Sequence, residues 1–141
     1  MRTCQTFFAA LLLSLCSLLP AHADDSLYRA LGEREGIARF LDIFVQLVQN
    51  DERIKHQFKE TNFDLLARQL NTQICQLAGG PCQYGGDDMK KVHKGMGIDE
   101  LQFNALAEDL QTAMMQAGVP ASAQNKLLAK LAPMHKDIVS K

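Results

Sequence analysis

Gly79-Gly80-Pro81-Cys82-Gln83-Tyr84-Gly85-Gly86-Asp87-Asp88-Met89-Lys90-Lys91-Val92-His93-Lys94-Gly95-Met96-Gly97 interrupts a sequence whose other long stretches carry helical periodicity. Its first part, Gly79 to Asp88, holds four glycines and one proline, residues that punctuate helices by favouring turns or by lacking a backbone N–H. Met89 to Lys94 has room for a brief helical segment at most, because Gly95 and Gly97 follow closely. Connections in helical bundles usually run to about 2–8 residues, so one this long with a helical turn inside it points to a functional cause. The residue worth asking about in it is His93. By spacing alone, a lone histidine there reads as a solvated surface side chain.

Outward from this stretch the pattern is amphipathic. Upstream, Ile37, Phe40, Leu41, Phe44, Leu47 and Val48 recur at three and four between Glu35 and Gln49, which makes one wide apolar face on a helix. A short helix, Ser26 to Leu31, precedes it and is ended by Gly32. Asn50-Asp51 breaks the long helix, and Arg53 to Phe58 reads as a short helical turn leading into a corner. Asn62 to Asp64 offer caps for a helix carrying Leu65, Leu66, Leu70, Ile74 and Leu77, with Gln69 and Gln73 on the same side. Downstream, Asp99 with Gln102 three residues on forms a box-like N-terminus. The helix it starts carries Leu101, Phe103, Leu106, Leu110, Ala113 and Met114, and Gly118 ends it. Pro120 opens a last element with Leu127, Leu128, Leu131, Met134 and Ile138 on one face, where Pro133 predicts a kink. The expectation is one all-α domain in which four substantial helices share a core.

Composition agrees. The chain has 141 residues, 47% of them hydrophobic and 22% charged, enough length to bury a core without a disulfide cage. A formal net charge of −1 argues against a nucleic-acid binder, which would show a basic stripe. Residues 1–23 read as a secretory signal peptide: Met1-Arg2, an apolar run from Phe7 to Leu19, then Ala21-His22-Ala23 as the cleavage site. The run is too short for the ~20 residues of a membrane-spanning helix, so the expected mature chain is residues 24–141, periplasmic or secreted and free of the membrane. Cleavage would remove Cys4 and Cys16 and leave Cys75 and Cys82, seven apart around Gly79-Gly80-Pro81. In an oxidising compartment these are a plausible disulfide pair; one buried and one exposed thiol is the alternative. No further ligand stands beside them, which argues against zinc.

From Leu27-Tyr28 to Val139 the sequence resembles the truncated haemoglobins, especially their first group. The most specific part is Gly79-Gly80-Pro81, Tyr84, Met89-Lys90, Val92-His93 and Gly95-Met96-Gly97-Ile98, followed by Phe103 and Leu106; Thr61-Asn62 matches a further landmark. The resemblance implies a compact two-over-two helical globin fold with iron protoporphyrin IX as cofactor. It places His93 as the proximal iron ligand, where a neutral imidazole leaves the sixth position for a small molecule. Phe58 falls on the phenylalanine that packs on the haem ring. Leu66, Leu70, Ile98, Phe103 and Leu106 are expected to line the slot, although plain core is the simpler role for each. Tyr84 and the Lys90/Lys91 pair are candidates to meet the propionates. His135, in Ala132-Pro133-Met134-His135-Lys136, falls where some members bond a histidine covalently to a haem vinyl; a solvent-facing histidine near the C-terminus is the alternative.

The distal side departs from the family. Val45 stands where a tyrosine often hydrogen-bonds bound oxygen, and Leu66 and Leu70 stand where glutamine is frequent. Gln69 and Gln73 are the remaining polar candidates there. The implied function is reversible binding of a diatomic gas: oxygen, nitric oxide or carbon monoxide. Two rivals are a haem enzyme of nitric-oxide detoxifying or peroxidase-like type, fed by an unidentified reductase, and a haem-free helical adaptor. Nothing in the sequence resembles a flavin or nicotinamide domain that would serve such an enzyme.

Overall fold

The computed structural model describes residues 24–141; residues 1–23, the segment expected from sequence to be a signal peptide, with Cys4 and Cys16, lie outside the described residues. Every regular element among them is helical. A short α1 (Ser26–Ala30) turns at Gly32 into α2 (Glu33–Asn50), two residues longer at its start than the apolar pattern required. A 3-10 turn, Lys55–Phe58, makes the corner before α3 (Phe63–Leu77). The loop after α3 runs to α4 (Met89–Val92), a single turn, and then to α5 (Glu100–Gln116) and α6 (Ala121–Leu131). Pro133 breaks α6 as its missing donor demands: a 3-10 turn at Ala132–Met134 leads to α7 (His135–Ile138). No described helix is long and apolar enough to cross a membrane.

Helix starts follow their capping chemistry. The Asn62 side chain accepts from Leu65 N at 2.9 Å. Asp99 accepts from Gln102 N at 2.8 Å while the Gln102 side chain reaches back to Asp99 N, a complete capping box. Each such cap satisfies donors that a helix start leaves free, worth about 1 kcal/mol.

The core lies against α2. Ile37, Phe40, Leu41, Phe44 and Val48 on its buried face meet Leu31 just after α1, Ile74 and Cys75 from α3, Ala105, Ala113 and Met114 from α5, and Ala123 and Leu127 from α6. Both α3 and α5 pack along α2 but barely touch each other. Gly36 permits the α1–α2 approach, since a Cβ there would stand 2.2 Å from the Leu31 carbonyl oxygen. Two residues assigned to the apolar face from spacing are exposed instead: Leu65 (47%) and Leu101 (77%). Both lie in the first turn of their helices and overhang the end of the packed surface.

Candidate functional site

The long loop is fastened to α3 before it reaches His93. Cys75, fully buried on α3, is bridged to Cys82 in the loop, with Cα atoms 5.8 Å apart. The Gln76 side chain accepts from Tyr84 N. Gly80 lies flat between the Tyr28 ring and the bridge; a Cβ there would come within 2.8 Å of both. The Tyr84 hydroxyl donates to the Asp87 carbonyl at 3.1 Å, and Lys91 Nζ pairs with Asp87 Oδ1 at 2.7 Å. Two of the groups considered for propionates therefore close the loop on itself, whereas Lys90 is exposed without an ion pair among the described residues.

Asp88 caps α4 by accepting from Lys91 N at 2.8 Å, and His93 is the residue that ends this helix. Its Nδ1 lies 2.7 Å from the Met89 carbonyl oxygen. A carbonyl only accepts, so Nδ1 carries the hydrogen and the lone pair of the neutral ring sits on Nε2. That is the preparation an imidazole needs to ligate a metal, because the bond at the far nitrogen fixes both tautomer and ring orientation. The segment is also held from behind: α7 packs on α4, and Ser140 N donates to the Ile98 carbonyl at 2.9 Å.

The remaining predicted residues fall on several elements. Phe58, in the 3-10 turn, is half-buried and lies 6.1 Å from the Phe63 ring centroid at an interplanar angle of 25°. Leu66 and Leu70 on α3, and Phe103 and Leu106 on α5, are half-buried as well, while Ile98 is buried. Gln69 is exposed, but Gln73, one turn on, is buried and donates its amide N–H to the Met89 sulfur at 3.6 Å. Val45, on α2, is half-buried. His135 Nε2 contacts Glu100 Oε2 at 2.8 Å, and its ring meets Phe103 edge-on with centroids 4.8 Å apart. Two participants were missed by sequence reasoning: Met89, for which the four-residue spacing to His93 was the available signal, and Glu100.

The haem implied by the resemblance is tested by this arrangement. A flat, largely apolar ring needs two apolar walls and one nitrogen lone pair. Two helices, α3 and α5, lean on α2 without closing on each other, and each offers half-buried leucine or phenylalanine rather than a sealed core. His93 offers Nε2. The residues present fit the group.

The entrance to the Phe58 turn has its own electrostatics. Asp51, which ends α2, accepts a forked hydrogen bond from Arg53, and this guanidinium holds its carboxyl below the usual range. Arg53 also reaches Glu108 on α5 at 2.6 Å. Asp109 beside it is buried, with Oδ2 lacking a partner; burial, then the Asp51 charge, push its carboxyl up. A carboxyl raised in the folded state opposes folding once pH exceeds its unfolded value, the ordinary 3.8, and the opposition grows until the folded value is passed. Asp109→Asn is therefore expected to melt a few degrees higher than wild type at pH 7 and to lose that advantage below pH 3.8; equal melting temperatures at both would refute it.

The sequence profile of the bacterial-like globin family matches residues 26–140. A group 1 truncated haemoglobin of Tetrahymena pyriformis is 32% identical over 116 residues, spanning 82% of this chain and 96% of that protein. A second, from Mycolicibacterium paratuberculosis, is 31% identical over 115 residues, spanning 82% and 85%. The crystal structure of the Tetrahymena pyriformis truncated haemoglobin in its Fe(III) form superimposes with a TM-score of 0.78, covering 82% of this chain and 98% of that one. With an imidazole prepared at Nε2 and a slot walled by α3 and α5, the chain belongs to the bacterial-like globin family and is a haem-binding truncated haemoglobin.

Proposed function

We propose that this globin is exported after cleavage behind Ala23, holds its haem through His93 Nε2, and binds a diatomic gas reversibly rather than turning over a substrate. The observation that carries the reading is the His93 ring, locked by its Nδ1–H to the Met89 carbonyl. Haem held there would supply an iron able to take a small gas. Phe58 and Phe103 pack from the corner and from α5, and Leu66 and Leu70 keep water from the α3 side. The apolar walls make association favourable at roughly 25 cal/mol per Å² of surface covered.

The distal wall sets the preference among gases. Val45, Leu66 and Leu70 have no polar hydrogen to give, Gln69 is exposed, and the Gln73 amide donates to Met89. Of these gases oxygen would gain most from a donor there, worth about 1.5–3 kcal/mol when charge-assisted. Carbon monoxide loses less without one. The protein is therefore expected to release oxygen quickly, favour carbon monoxide and oxidise readily. Stopped-flow displacement of oxygen by carbon monoxide reads these together, and Val45→Tyr should slow oxygen release about tenfold, the effect of ~1.4 kcal/mol. Slow release in wild type that Val45→Tyr leaves unchanged would show that another donor serves. Purified protein with no Soret band would leave the haem-free adaptor standing.

His135 is read as a tether between α7 and Glu100 on α5, with its ring edge-on to Phe103.

A further inference from the structure

Met89 does two things at once. Its carbonyl oxygen accepts from both His93 N, at 3.1 Å, and His93 Nδ1, at 2.7 Å, so the main chain and ring of His93 hang from one atom. Its sulfur accepts from Gln73 Nε2, on α3, at 3.6 Å. The helix between the two residues, α4, has four residues, far below the length at which a helix holds itself. Its position must come from tertiary contacts.

Helix α7 supplies them from behind, but on the side of α3 few are available. Val92 is 48% exposed and Met96 37%, so neither anchors the segment. Met89 is the half-buried apolar residue of α4, and methionine has three rotatable side-chain bonds that nothing fixes unless a partner does. Gln73 is 8% exposed on the face of α3 that meets this segment. A buried amide must find a partner, and here its donor goes to the thioether.

We propose that Gln73 is a positioning residue for the iron ligand: through Met89, it fixes the orientation of His93 from α3. The coupling runs Gln73 N–H to Met89 Sδ, then Met89 C=O to His93 Nδ1–H. Helix α3 and the segment holding the ligand are thereby joined by two hydrogen bonds, so a displacement of α3 is passed to the imidazole. The inference rests on the reading of His93 as the haem ligand.

The test uses Gln73→Leu and Met89→Leu, which keep apolar volume while removing donor or acceptor, and their double variant, with the Cys75–Cys82 bridge intact. The readout is the iron–histidine stretching band of the ferrous protein by resonance Raman, together with the rate of haem transfer to an acceptor globin. Each single variant should lower the band's frequency and speed haem loss about threefold, and the double should do no more than either alone, since both remove one link. Additive effects, or a lowered melting temperature with an unmoved band, would overturn the proposal. Should Gln73→Leu fail to fold, Met89→Leu alone carries the test with the same two outcomes. In the haem-free protein, the 15N shifts of the His93 ring report its tautomer independently: exchange between tautomers in the variants but not in wild type supports the proposal, and identical spectra oppose it. An absent iron–histidine band in wild type would instead refute His93 as the ligand.

Discussion

His93→Ala is expected to lose haem by more than a hundredfold in affinity while keeping the protein fold. Removing only an outer hydrogen-bond partner of a metal ligand typically costs about 10–100-fold in affinity, and here the bond to the metal itself is lost. The fold should survive because His93 is half-buried at the end of a four-residue helix and outside the packed residues on α2. Haem-free His93→Ala should melt within ~1 kcal/mol of haem-free wild type. Haem titration with absorbance detection gives the affinity, and imidazole added to the buffer should restore part of the ferrous spectrum by entering the vacated space. An unchanged spectrum in His93→Ala would mean that another residue ligates.

Reduction of the Cys75–Cys82 bridge should lower the melting temperature by about 10 °C. The bridge closes a short loop, and chain-entropy arithmetic gives ~2.5 kcal/mol for a loop of that length. For a domain of this size each kcal/mol moves the midpoint by about 4 °C. In the folded protein the loop keeps the Gly80 contact with Tyr28 and the hydrogen bond from Tyr84 N to the Gln76 side chain as its other anchors. Oxidised and dithiothreitol-treated protein compared by circular dichroism, with Cys75→Ala/Cys82→Ala as a control, reads the effect. Equal midpoints would show that the loop's other anchors suffice.

The helical frame was legible because burial on one side imposes a 3.6-residue period, and α2 kept it through six residues. The same period misplaced Leu65 and Leu101, because periodicity gives a direction around the axis and says nothing of where the neighbouring helix stops. Gln69 and Gln73 show the limit more sharply. They share a face, yet only Gln73 lies level with α4, and that level depends on a loop whose path no local pattern encodes. The disulfide was one of two open readings until the turn at Gly79–Pro81 was seen to bring the cysteines together. His93 carried no periodic signal at all; family resemblance singled it out, and the Met89 carbonyl explains chemically why that position works.

Because α3 and α5 rest on α2 and scarcely on each other, α2 acts as the spacer that sets the gap between them. Phe40, Phe44 and Val48 are thus calibration points: enlarging or trimming one should widen or narrow the slot while every residue facing its contents stays the same. Pocket dimensions in this protein can be engineered, or drift over evolutionary time, through a helix face that is wholly interior.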